Sequence, residues 1–362
     1  MRILFITQKV DLNDDALGAY HRWIEELAKK VEILNAICLY QGRTELPANV
    51  RVYSLGKETL RIKNQELGIR KWFLKIIYAW RFYKYIWLLR KDYDTVFVHM
   101  NPEYVILAGW WWRLTGKKII LWYAHYLANL KLRLAAFFAN IIVTSTRLAY
   151  PLISKKLRVL QQGIDTDHFI PLVLPKTPGH KVLFLGRITP VKNIETLLLA
   201  VKSVVQNIPD TTLTIVGEPT IGKPIEGAYY ENIKRMAREL DLGGRVTFVG
   251  RVANNRTVSI YQNHDFFVNL TVAGSFDKST LESMSCGVPV FVSNPAFEEY
   301  FDQELKNLLM FKEGAAEDLQ KKINGFVALP TEEKRRIGMK LRDIIKEKHS
   351  LNRLVERIVT LL

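Results

Sequence analysis

Residues 182–193 read V-L-F-L-G-R-I-T-P-V-K-N, and residues 281–290 read L-E-S-M-S-C-G-V-P-V. The first is a short apolar run, of strand length, that ends in Gly186 and Arg187, with Lys192 five places on. The second reads as a short helix that stops at Gly287, with Glu282 one turn inside it. A guanidinium and an ammonium just past a buried strand suit a diphosphate, one as a planar fork and the other as a point charge. A carboxylate near a helix start suits the diol of a ribose. Together the two segments point to a sugar nucleotide.

Outward from these segments, strands and helices alternate, which predicts parallel sheets with helices on both faces, an α/β architecture. Strands are expected at Arg2–Thr7, Val31–Leu39, Thr95–His99, Lys118–Tyr123, Asn140–Thr144 and Arg158–Leu160. A second set follows at Lys181–Leu185, Thr211–Val216, Val246–Val249, Asp265–Leu270 and Val288–Val292. Between the sets, P-L-V-L-P-K-T-P-G-H at 171–180 has a linker's composition, so the first domain is placed at 1–172 and the second at 173–345. Leu351–Leu362 reads as an amphipathic helix, within a closing segment at 346–362. Trp110, Trp111 and Trp112 are expected to be packing residues, because adjacent helix positions cannot share one binding face.

Three pieces carry a family resemblance by their order and spacing: G-R-x5-N-x-x-x-L-x-x-A from Gly186 to Ala200, V-T-F-V-G at 246–250, and the segment from Leu281. The chain resembles the retaining glycosyltransferases of family 4. The resemblance implies the GT-B fold, two Rossmann-like domains facing each other across a cleft, with the closing helix crossing back to the first domain. It further implies Arg187 and Lys192 on the donor diphosphate and Glu282 on the ribose. Gly186, Gly274, Ser275, Phe276, Asp277 and Lys278 complete the donor set, and the backbone around Arg251 and Val252 meets the base, uracil or guanine. His125, at the end of I-L-W-Y-A-H, matches a family histidine that faces the donor sugar, and Gly18 is similar to the glycine of the family's first loop. His21 and His99 are candidates for the acceptor side, with Asp14 and Asp15 near the former.

One departure matters. The family pattern E-G-F-G-x-x-x-L-E has two glutamates, and here Gly274 stands for the first and Asp277 for the second glycine. Asp277 either supplies the missing carboxylate from a shifted position or caps the following helix, and capping is the favoured reading. Glu282 either holds the ribose or pairs with Lys278 one turn back, and the ribose is favoured. The implied reaction is sugar transfer with retention, in which the departing diphosphate takes the acceptor's proton and no cofactor is used. Two alternatives stay open: a nucleotide-sugar epimerase on the same architecture, and a binding protein whose catalysis is impaired by Gly274.

The 362 residues carry 52 Lys and Arg against 36 Asp and Glu, a net +16 that favours an anionic partner. From 61 to 91 the basic residues are Arg61, Lys63, Arg70, Lys71, Lys75, Arg81, Lys84, Arg90 and Lys91, opposed only by Glu66. Interleaved with them, Trp72, Phe73, Ile76, Ile77, Trp80, Tyr83 and Trp87 project onto one broad side of a helix. That side either lies on an anionic membrane, with indoles at the headgroup level, or is the core-facing side of an ordinary Rossmann helix. A lipid-linked or other glycan acceptor suits the first reading, and no nucleic-acid module is recognisable.

Asp92-Tyr93-Asp94 precedes its strand, so it reads as a turn rather than a metal site, and metal-independent chemistry is expected. The two cysteines, Cys38 and Cys286, lie in apolar contexts and are expected in the core of a protein kept in a reducing compartment. No secretory leader and no apolar stretch of about 20 residues is evident, and the expectation is a cytoplasmic protein, peripheral at the inner face of the membrane.

Overall fold

The computed structural model describes residues 1–59, 68–172, 179–271 and 276–362, with the backbone alone described for 68–71. Its contacts divide the chain into two units, Met1–Gln161 with Leu351–Leu362, and Gln162–Ser350. The change of unit thus falls at 161/162 instead of 172/173, because Ile164 and Phe169 already pack in the second unit's core. The return falls at 350/351 instead of 345/346: Ile345 is still part of that core, and Ser350 bridges to Ile164.

In the first unit the elements are β1 (Arg2–Val10), α1 (Ala19–Ala28), β2 (Ile33–Gln41), β3 (Val50–Ser54), α2 (Gly68–Leu88), β4 (Thr95–His99), α3 (Pro102–Leu114), β5 (Lys118–Trp122), α4 (Leu130–Phe138), β6 (Ile141–Thr144) and β7 (Leu157–Val159). The sheet runs β3-β2-β1-β4-β5-β6-β7, every pair parallel. Both faces are buried, so each strand splits its residues by the two-residue period of the pleat. Leu4, Ile6, Val96, Val98, Ile119 and Leu121 face the layer built from α2, α3 and α4. Ile3, Phe5, Phe97, Ile120 and Trp122 face the opposite layer, which includes α1. The sequence reading omits β3, a short, partly exposed edge strand with no strong alternation.

The second unit contains β8 (Lys181–Leu185), α5 (Ile194–Asn207), β9 (Thr212–Val216), α6 (Pro224–Glu239), β10 (Val246–Gly250), α7 (Val258–Gln262), β11 (Phe266–Asn269), α8 (Lys278–Ser285), β12 (Val290–Val292), α9 (Gln303–Leu309), α10 (Ala316–Val327) and α11 (Thr331–Ile344). Its parallel sheet runs β10-β9-β8-β11-β12. The order reverses between β8 and β11, where loops leave the carboxyl ends in opposite directions and open a crevice for a ligand. The last helix, α12 (Leu351–Val359), belongs to the first unit. Leu351, Leu354, Val355 and Ile358, one helical stripe, pack with Trp23, Ile24 and Leu27 of α1.

Helix α2 turns a different side to the core than an ordinary amphipathic helix would. Phe82 and Ile86, followed by Leu89, form its buried stripe. Trp72, Trp80 and Trp87 are 66%, 62% and 58% exposed, and Phe73, Ile76 and Tyr83 are exposed with them. The core-facing reading of the aromatic side is therefore overturned: α2 is apolar on nearly every side, and the sheet covers only one of them. The tryptophan triplet is corrected in part. Trp112 is fully buried and donates its Nε1 hydrogen to the Tyr93 hydroxyl at 3.0 Å, whereas Trp110 is exposed. Trp111 lies 5.8 Å from Trp87, so α2 and α3 meet through indoles at the surface.

Candidate functional site

In the second unit, the loop after β8 meets the start of α8 at the switch point, through Lys192 and Asp277. Gly186 follows β8 with its amide on the Val216 carbonyl at 3.0 Å, and the Ile188 amide reaches the Glu218 carbonyl at 3.2 Å. Gly217 makes this close approach possible. It has φ +131, and a β-carbon there would sit 1.9 Å from the Gly186 carbonyl oxygen. The Arg187 side chain leaves this fixed backbone into solvent and makes no hydrogen bond or ion pair among the described residues. A guanidinium held at a strand end without a protein partner is available to an anion.

Lys192 closes a 3-10 turn that starts at Pro190 and leads through Asn193, in the left-handed region at φ 45, into α5. Its ammonium donates to Thr271 Oγ1 at 3.0 Å and pairs with Asp277. Asn269 Nδ2 and Thr271 Oγ1 donate to the same Asp277 oxygen at 2.6 and 2.7 Å. The capping reading of Asp277 is thereby corrected: it stands at the N-cap of α8, but its side chain makes no capping bond, because the Lys192 cation on the neighbouring loop outcompetes backbone amides for it. Burial works to raise the Asp277 pKa, but the Lys192 charge and the hydrogen bonds of Lys192, Thr271 and Asn269 outweigh it, so the carboxyl sits below 3.8.

Glu282 lies one turn further, 2% exposed. Asn254 Nδ2 donates to its Oε1 and the Tyr261 hydroxyl to its Oε2, both at 2.8 Å. Burial pushes this carboxyl above 4.5, against those hydrogen bonds and the charges of Lys278 and His168, which pull it down. Each oxygen retains a lone pair beyond the one engaged, so Glu282 is an acceptor aimed in advance. Sequence reasoning missed Asn254, Tyr261, Asn269, Thr271 and Gly217. None belongs to a spaced motif, and each acts only through the fold.

Other members of the donor set divide. Gly274 and Ser275 lie outside the described residues. The Phe276 ring is 6% exposed and packs at 4.9 Å from Phe297 and 5.1 Å from His349, so as a side-chain contact for the donor it is corrected to core. Arg251 donates to Glu218 Oε2 at 2.9 Å and to the Pro219 carbonyl, which holds its charge beside a carboxylate. Val252 packs against the core, and Lys278 opens α8.

In the first unit, His125 follows β5 and is half-buried, its Nδ1 accepting the Leu127 amide hydrogen at 3.2 Å. Burial lowers its pKa below 6.5, so the neutral ring prevails at pH 7. With Nδ1 accepting, the proton is assigned to Nε2, which becomes a donor. His21 and His99 are corrected as acceptor contacts, since both are 1% exposed. His21 Nε2 accepts the Glu45 amide hydrogen at 3.0 Å. His99 sits 3.9 Å from the Tyr20 ring and 3.2 Å from Thr7 Oγ1, inside an aromatic core that includes Trp23 and Trp122. Gly18 is the N-cap of α1 at φ −56, a conformation open to any residue. Asp14 pairs with Lys9 and accepts the Ala16 and Leu17 amides, which fixes the loop ahead of α1.

Asp94 pairs with Arg2 at 2.8 Å, at the amino end of the sheet. Among the described residues, no group of three or more His, Cys, Asp or Glu is placed to hold a metal ion. Cys38 and Cys286 are buried, and burial pushes both thiols up to about 12. Among the described residues, no helix is long and apolar enough to cross a membrane.

Two parallel-sheet α/β units of seven and five strands make this a GT-B fold. HepE of Anabaena, solved in complex with UDP and glucose, matches with a TM-score of 0.75 over 100% of this chain and 99% of its own, at 16% identity. Sucrose-phosphate synthase from Thermosynechococcus elongatus matches at 0.77 over 99% and 97%, at 19% identity. At such identities the likeness is one of fold. Residues 169–343, just under half of the chain, match the family described as Glycosyl transferases group 1. A stretch of 137 residues is 28% identical to the alpha-monoglucosyldiacylglycerol synthase of Streptococcus pneumoniae, covering 37% of this chain and 29% of that protein. Another of 144 residues is 30% identical to the D-inositol 3-phosphate glycosyltransferase of Mycolicibacterium smegmatis, covering 37% and 31%. The matched stretch spans less than a third of each relative.

Proposed function

We propose that this protein transfers a sugar from a UDP- or GDP-linked donor to a glycan or lipid-linked acceptor, with retention, without a metal ion, at the cytoplasmic face of the membrane. The observation that carries the reading is that the loop after β8, which bears Arg187 and Lys192, is tied by the Lys192–Asp277 pair to the start of α8, the helix that carries Glu282. As the bond from the anomeric carbon to the diphosphate breaks, negative charge grows on the phosphate oxygens, and fixed cations lower that barrier. The departing diphosphate accepts the hydroxyl proton of the acceptor, whose oxygen forms the new bond on the same face. In this reading Glu282 takes the ribose hydroxyls on its remaining lone pairs, and His125 offers its Nε2 hydrogen to a substrate hydroxyl.

The membrane part of the reading is supported by the outer surface of α2, where exposed indoles stand among cations. Arg90 lies 4.5 Å from the Trp87 ring and Lys84 5.6 Å from that of Trp80. Leu114 of α3 and Phe137 of α4 are further large apolar side chains left exposed in this unit. Aromatic rings at the headgroup level with cations among them suit a bilayer of acidic lipid, and a relative named for a diacylglycerol product fits such a location.

The test is release of nucleoside diphosphate from a panel of UDP- and GDP-sugars, with and without glycan and lipid acceptors, in the presence of a chelator. Release that requires acceptor and survives the chelator is expected. Interconversion of the sugar without acceptor would favour the epimerase, and binding without turnover the impaired binding protein.

A further inference from the structure

The Asp277 carboxylate pairs with Lys192 itself, so its presence works against an anionic ligand at that cation. Its Oδ2 accepts from Lys192, Asn269 and Thr271, while Oδ1 makes no hydrogen bond among the described residues. Asn269 and Thr271 are buried, and a quarter of the Asp277 side chain, 25%, remains exposed. One oxygen is thus anchored by three donors, and the other has no donor among the described residues. Anchoring by an ammonium and two neutral donors fixes the plane of the carboxylate and therefore the direction of the free oxygen.

A fixed anion in contact with Lys192 opposes the binding of phosphate to that lysine, since like charges a few ångströms apart repel. A site shaped for a diphosphate alone has no use for it. A carboxylate accepts hydrogen bonds and donates none, so the groups of a nucleotide sugar that it can face are the O–H and N–H donors of the base, the ribose and the transferred sugar. With the base met by the backbone around Arg251 and Val252 and the ribose hydroxyls taken by Glu282 in the reading above, the donors left are those of the transferred sugar. The chain also has Gly274, and so no acid, at the position where the first glutamate of the E-G-F-G-x-x-x-L-E pattern falls.

We propose that Asp277 Oδ1 accepts a hydrogen bond from a hydroxyl of the transferred sugar, so that the carboxylate missing at 274 is supplied from 277, aimed by Lys192, Asn269 and Thr271. The proposal rests on the reading of this unit as a nucleotide-sugar site. It makes Asp277 a selector for the sugar and a mild antagonist of the bare diphosphate.

The sign of the effect on two ligands tests it. The nucleotide sugar to use is whichever of UDP-glucose, UDP-galactose, UDP-N-acetylglucosamine and GDP-mannose raises the melting temperature most. Calorimetry then compares it with its nucleoside diphosphate on the wild type and on Asp277→Asn, a change of nearly constant shape. The variant is expected to bind the diphosphate equally or several-fold more tightly, and to lose about ten- to hundred-fold in affinity for the nucleotide sugar, the range for a hydrogen bond to a charged group. A parallel weakening of both ligands would reduce Asp277 to a support for Lys192 and overturn the proposal, as would no change in either.

Donors deoxygenated at successive hydroxyls, tested on the wild type, need no variant. One position should weaken binding about ten-fold or more, and with Asp277→Asn that same position should lose its effect, because coupled partners are not additive. Equal binding of every deoxy donor would overturn the proposal while leaving the donor site standing. A wild type that binds no nucleoside diphosphate and no nucleotide sugar overturns both.

Discussion

Replacing Trp80 by alanine is expected to detach the protein from acidic vesicles without disturbing its fold. Trp72, Trp80 and Trp87 keep 58–66% of their surface in water. A large aromatic side chain has about 150–250 Å² to bury, so lodging one of these indoles in the headgroup region covers on the order of 100 Å². At about 25 cal/mol per Å² that is roughly 2.5 kcal/mol, or a 10- to 100-fold change in partitioning allowing for incomplete insertion. Lys75, Lys84 and Lys91, all exposed, contribute about 1 kcal/mol each near an acidic surface. Binding should therefore weaken with salt and require acidic lipid. The assay is sedimentation with vesicles of neutral lipid, with and without phosphatidylglycerol, alongside a melting curve. Trp80→Ala should leave stability within about 0.5 kcal/mol, as a surface change does, whereas Phe82→Ala, on the buried stripe, should cost about 3–5 kcal/mol. Vesicle binding that is unchanged in the triple alanine variant of 72, 80 and 87 would refute the reasoning.

Arg187→Ala should lower kcat/KM about 10- to 100-fold with no change in melting temperature, since the side chain has no partner to lose among the described residues, and Arg187→Lys should recover only part, for want of the planar fork. Glu282→Ala strands the buried Tyr261 hydroxyl and the Asn254 amide, each worth about 1–3 kcal/mol when left unpaired, and chemical denaturation should show it. Because burial raises the folded pKa of Glu282, its contribution to stability is full below the unfolded value of 4.5 and is lost as pH rises through the higher folded value. The stability difference between wild type and Glu282→Gln should therefore shift against the wild type over that window, and a difference constant across it would contradict the burial argument. Gly217→Ala should destabilise by more than about 1 kcal/mol, through the left-handed φ and the clash with the Gly186 carbonyl, and should weaken nucleotide binding with it.

The succession of strands along the chain and the segments that follow β8 and open α8 were legible because parallel strands buried on both faces are continuous apolar runs, and Gly186, Arg187 and Glu282 stand at fixed offsets from them. The small elements escaped notice. Strand β3 lies at a sheet edge, where half-exposure blurs the alternation, and the boundary of the units was misplaced because proline marks a stiff stretch, not the residue at which packing changes partner. His21 and His99 look in sequence like polar groups at element ends, yet both are enclosed. A histidine bonded to a backbone amide or to a threonine can be buried neutral, and nothing local announces it.

By itself the sequence determined the two alternating sets, the candidate segments after β8 and at the start of α8, and the unusual acid at 277, since periodicity and spacing are local properties. Tertiary structure alone decided the partners. It set Asp277 on Lys192 and not on its own helix, because the ammonium comes from a loop 85 residues away in the chain. It also turned the indoles of α2 outward: a helix apolar on nearly every side can seat any of them, and only the sheet's shape selects Phe82 and Ile86 for the core.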